Sequence, residues 1–116
     1  MDAPDKAMHF SILVKEMEYA WLAHCLELDI VATAATVEDV EKDMLDLICA
    51  QVAYAFNNDN LENLYHPAPA DAWKEFFQCR EQVERRVPLE SHFHGEAVPS
   101  WIIANSCHAQ SICRVE

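Results

Sequence analysis

The chain has 116 residues, 52% hydrophobic and 24% charged, which suits one globular domain able to bury a core without metal or crosslinks. Twenty Asp and Glu against eight Lys and Arg leave a formal charge of −12, which repels phosphate backbones and disfavours direct nucleic-acid binding. Met1-Asp2-Ala3-Pro4-Asp5-Lys6 lacks the basic-then-apolar pattern of a secretory leader, and no window is apolar over the length of a membrane span. A cytoplasmic protein with reduced cysteines and no membrane partner is therefore expected.

Met8 to Lys15 alternates Phe10, Ile12 and Val14 with His9, Ser11, Leu13 and Lys15, the period of a half-buried strand. Glu16-Met17-Glu18 reads as a turn. Tyr19 to Leu26 then returns with Trp21, Ala23 and Cys25 on one side and Ala20, Leu22 and His24 on the other. Glu27-Leu28-Asp29 turns again into Ile30 to Ala35, a run of β-branched and small residues, completing a three-stranded antiparallel meander. Because Gly95 is the single glycine, turns that need positive φ fall to Asn and Asp.

Thr36-Val37-Glu38-Asp39 supplies an N-cap hydroxyl and acids for the first turn of a helix. Val37, Val40, Met44, Leu47, Ile48, Val52, Ala55 and Phe56 form its apolar stripe, while Glu38, Glu41, Lys42, Asp43 and Asp46 lie mostly away from it. Asn57 to Asn60 end it, with Asn in the left-handed position. Leu61 to Tyr65 gives a brief helical turn before Pro67 and Pro69. Asp71 to Arg86 reads as a second helix, with Trp73, Phe76, Phe77 and Val83 inward and Lys74, Glu75, Arg80, Glu81, Glu84 and Arg85 outward. Val87 to Pro99 reads as a loop, and Trp101 to Ala104 as a short late strand before a polar tail. The expected fold is thus α+β and one domain over residues 1–116. Residues 8–58 form a βββα core, the meander covered by the long helix, and residues 59–116 a helix-loop-strand extension.

Chemistry-bearing residues are few. His92, His94, Cys107, His108 and Cys113 have zinc-ligand chemistry, but Cys107 and Cys113 are six apart and the two loop histidines have no partner pair at standard separation. Surface histidines and buried thiols are the better reading. Cys25 and His24 point to opposite faces of a strand, so they form no thiolate–imidazolium pair, and Cys25, Cys49 and Cys79 read as small core hydrophobes. Glu27 and Asp29 fall at a turn, away from the strand centres a Mg²⁺ cluster would need. No catalytic, metal or cofactor-binding residue is assigned, and no cofactor is expected.

Met8 to about Asn58 resembles the HicB family, the antitoxins of HicA/HicB toxin–antitoxin modules. The matching parts are the strand FSILVKE, the element Ala23-His24-Cys25-Leu26-Glu27-Leu28, the strand IVATAAT, and the helix entry Thr36-Val37-Glu38-Asp39-Val40, in the family's order and spacing. The resemblance implies a partial ribonuclease-H-like fold without nuclease chemistry, and a partner in the form of a small basic HicA-like ribonuclease toxin. Many HicB proteins continue into a DNA-binding segment, but residues 59–116 show neither a basic recognition helix nor a short basic strand, so operator binding does not carry over. A non-enzymatic antitoxin-type binding module is expected, with a stand-alone interaction module as the alternative and a metal-dependent hydrolase as the lesser one. Open strand edges further suggest a homodimer.

Overall fold

The computed structural model describes residues 7–79, 82–88 and 101–108. Along the chain run β1 (Ala7–Glu16), β2 (Trp21–Cys25), β3 (Ile30–Ala34), α1 (Val37–Asn57), a short 3-10 turn (Leu61–Asn63), α2 (Ala70–Phe77), β4 (Gln82–Pro88) and β5 (Trp101–His108). The fold is α+β, with all five strands in one mixed sheet of order β3-β2-β1-β5-β4.

The first three strands are antiparallel neighbours. Ile12 lies opposite Cys25, and Cys25 opposite Ile30. The tight β2–β3 turn closes with Asp29 N–H donating to the Cys25 carbonyl at 2.8 Å, and Asp29 itself takes φ 55°. Asp59, just past α1, takes φ 53°, so both left-handed positions fall to Asp, as turns without glycine require, and at the helix end it is Asp59 and not the expected Asn that fills it. On the other side of β1 the strand β5 runs parallel to it, Phe10 beside Ala104 and Leu13 beside Cys107.

Strand alternation sorts β1 into two buried sets. Phe10, Ile12 and Val14, with Ala23, Cys25, Ile102 and Ala104, face Val40, Met44, Ile48 and Val52 of α1 in the main core. Fully burying a side chain such as Ile12 or Ile48 stabilises the fold by about 1.5–3 kcal/mol. On the opposite face Leu13, Leu26 and Cys107 pack with Ala68 and Phe76, so α2 starts a second, smaller apolar layer. Backbone bonds dock the segment before α2 to the β2–β3 turn, His66 N–H to the Glu27 carbonyl at 2.9 Å and Ala68 N–H to the Leu26 carbonyl at 2.8 Å.

Three expectations for the second half are corrected. The second helix ends at Phe77, and residues 82–88, expected as helix and loop, form a strand antiparallel to β5 with Val83 opposite Ser106. Here Val83, Arg85 and Val87 alternate with Gln82, Glu84 and Arg86, a period of two that pairing with β5 selects over the helical one. Phe77 and Val83, expected inward, are 70% and 47% exposed. The late strand runs on to His108, and the sheet has five strands where three and a late piece were expected.

The cysteine expectation also changes. Cys79, just beyond α2, is bonded to Cys107 on β5. Such a bond persists in oxidising surroundings, so the cysteines lend no support to a reducing compartment. Cys25 and Cys49 are free and buried.

Candidate functional site

Two features stand out: the outward face of α1, and a charged junction at the edge of that face. The helix starts where the Thr36 hydroxyl accepts the Asp39 N–H at 3.1 Å, and Glu38 and Asp39 fill its first turn. With Val40, Met44, Ile48 and Val52 turned to the sheet, the 3.6-residue period turns Glu38, Asp39, Asp43 and Asp46 to solvent. Leu47, 38% exposed, and Tyr54, 63% exposed, lie on the same outward side. Lys42 pairs with Asp46 one turn on at 3.1 Å, and that carboxylate raises the lysine's pKa. The exposed face is therefore acidic, with two apolar side chains beside the charges.

Glu41 was expected among the outward residues, but it is 6% exposed. Its carboxylate accepts from Arg85 Nη2 on β4 at 2.7 Å and meets His108 Nε2 on β5 at 2.5 Å. A carboxylate so deeply placed requires partners of this kind. Between α1 and β4 lies a cleft of about 320 Å³, lined by Glu38, Glu41, Lys42, Leu45, Asp46, Arg85 and Val87. The signal for Glu41 was present in the sequence: it stands four residues after Val37 and three before Met44, on the rim of the apolar stripe. Its partners carried none, because Arg85 read as helical and His108 as tail.

A third polar group lies at the β2–β3 turn. Glu27 accepts from the Ser11 backbone N–H at 2.6 Å and from its hydroxyl at 2.9 Å, clamping the turn to β1. Cys25 is wholly buried beside it, and burial, reinforced by the Glu27 charge, pushes the thiol up to about 12. A thiol held protonated in this way is no nucleophile at neutral pH. His24 points to the other face and pairs with Asp29 at 2.6 Å. Tyr65 stacks on Phe10 with ring centroids 6.3 Å apart; its partial burial raises the phenol's pKa.

Of the five residues weighed for metal, His92, His94 and Cys113 lie outside the described residues. Cys107 is committed to the disulfide and His108 to Glu41. Among the described residues no three His, Cys, Asp or Glu side chains are grouped to hold a metal ion, and no helix is long and apolar enough to cross a membrane. Compared with family models, curated proteins and solved structures, the chain matches none.

Proposed function

We propose that this chain is a non-enzymatic, HicB-like binding module that neutralises a small basic HicA-like ribonuclease by covering it with the outward face of α1. The observation that carries the reading is that face itself: Glu38, Asp39, Asp43 and Asp46 exposed beside Leu47 and Tyr54. Carboxylates on such a face steer a basic partner and fix its register, while the apolar side chains supply contact area.

The course of the chain is compatible with this reading: three antiparallel strands lead into a helix packed on them, and a later strand returns beside β1 and parallel to it, with β4 antiparallel beyond. Both arginines of β4 are turned to carboxylates and not left for phosphate, Arg85 to Glu41 and Arg86 to Glu84, each at 2.7 Å.

The test is capture of the partner by the tagged full chain at low salt, followed by an RNA-cleavage assay on the captured protein after release. A small basic ribonuclease that is silent in the complex, released active at high salt, and no longer held by the Asp39→Asn/Asp43→Asn/Asp46→Asn variant is the expected result. Capture unaffected by that variant, or a partner without ribonuclease activity, would overturn the reading in favour of a stand-alone interaction module.

A further inference from the structure

The sheet ends in two strands of opposite character. β4 carries Glu84, Arg85 and Arg86 and closes on Pro88, the devices by which an edge is kept from pairing with another chain. β3, the other terminal strand, reads Ile30-Val31-Ala32-Thr33-Ala34, with no charge and no proline. Among the described residues, the outward row of its backbone groups has no hydrogen-bond partner.

Both faces of this edge are unfinished. Val31 is 50% exposed and Thr33 is exposed on one face. On the other, Ile30, Ala32 and Ala34 sit at the rim of the main core, packed against it but only partly covered. A strand added here would satisfy the backbone row and cover apolar surface on both sides.

We infer that the occupant is a second copy of this chain, the two β3 strands pairing antiparallel about Ala32. The register decides the choice of partner. Centred on Ala32, it sets Ile30 opposite Ala34, Val31 opposite Thr33 and Ala32 opposite its twin, so two chains that each carry −12 meet without a charge facing a charge. The nearest acid, Asp29, precedes the strand and is held by His24 of its own chain at 2.6 Å. A basic partner would find no carboxylate on this edge to recognise. The inference is independent of the toxin-binding reading, which uses the outward face of α1.

Salt distinguishes the two. Contact between like-charged copies tightens as salt screens their repulsion, whereas binding of a basic partner weakens. The experiment is sedimentation velocity on the full chain over a concentration series, at about 0.05 M and about 0.5 M salt. A dimer whose dissociation constant falls as salt rises is expected. The Val31→Lys/Thr33→Lys variant places lysine opposite lysine twice and weakens the dimer about tenfold or more, while Val31→Lys/Thr33→Glu places lysine opposite glutamate twice and restores it. Circular dichroism confirms folding of each variant, and the charge-swapped one keeps the test if the double lysine does not fold. A chain that stays monomeric at every salt and concentration overturns the proposal, including one that pairs only with a basic strand. So does a dimer unchanged by the double lysine, or one the charge swap does not restore. A monomer that still captures an active basic ribonuclease leaves the α1 reading standing, and a dimer that captures none does the reverse.

Discussion

Glu41 and Arg85, 44 positions apart in the chain, meet at 2.7 Å and tie α1 to β4 through a carboxylate that is otherwise shut away from water. His108 takes the second oxygen, so one side chain holds a helix and two strands together.

Arg85→Ala leaves that carboxylate with His108 alone. Breaking a fully buried pair costs about 3–5 kcal/mol, and because Arg85 and His108 are nearly half exposed, screening reduces the loss here to about 1–3 kcal/mol. Urea unfolding reads it directly. Replacing both partners, Glu41→Leu with Arg85→Leu, costs less than Arg85→Ala, because no carboxylate is stranded. An Arg85→Ala variant with the wild-type midpoint would show that the junction contributes nothing to stability.

The Cys79–Cys107 bond closes a loop with a sequence separation of 28, and loop-closure entropy of that size stabilises by about 3–4 kcal/mol. Cys79→Ser, or a dithiol reductant acting on the native chain, should lower the unfolding midpoint accordingly. Limited proteolysis should then cut first around α2, which the crosslink holds to β5. Intact mass with and without alkylation in denaturant, under non-reducing conditions, checks the bond itself; more than three of the five cysteines alkylated would refute it.

Burial pushes the Cys25 thiol up to about 12 and the Cys49 thiol up to about 11, against 9.0 for an ordinary thiol. Both raised values favour the protonated form in the folded chain. Their contribution to stability is therefore intact below about pH 9 and lost as pH rises through 11 and 12, where the unfolded chain has already released its protons. Thiol-disulfide reagents at pH 8 should leave both unmodified until the protein unfolds, with Cys49 reacting before Cys25 as pH is raised. Rapid labelling of Cys25 in the folded protein at pH 8 would contradict this account.

Thr36→Ala removes the acceptor for the Asp39 N–H and should cost about 1 kcal/mol, whereas Thr36→Ser should cost little. Thermal unfolding distinguishes the two, and equal midpoints for both variants would mean the cap is satisfied by water alone.

The first half of the chain was legible because its signals are local. Period-two alternation marks β1, and the capping threonine and acidic first turn mark α1, whereas Glu41, on the rim of the apolar stripe, was placed outward and is buried. The second half was not, because Lys74 to Val87 satisfies both periods. Trp73, Phe76 and Phe77 suit a helix, Val83, Arg85 and Val87 suit a strand, and what settles the matter is β5, more than a dozen residues away in sequence. The same distance hid the disulfide, since a spacing of 28 is no signature. The outward face of α1 was visible as a run of acids, but the junction beside it needed the strands that carry Arg85 and His108.

The position of β5 has a consequence for how the molecule is made. It is the last described strand along the chain, yet it lies inside the sheet, between β1 and β4, with Ala7 of β1 paired to Trp101. On the ribosome, β1, β2, β3 and α1 emerge well before the strand that closes β1's open side, and such long-range parallel pairing forms slowly. Until residues 101–108 are released, a nascent chain has β1 with one edge unpaired and a main core lacking Ile102 and Ala104, the state in which chaperone binding and self-association compete with folding.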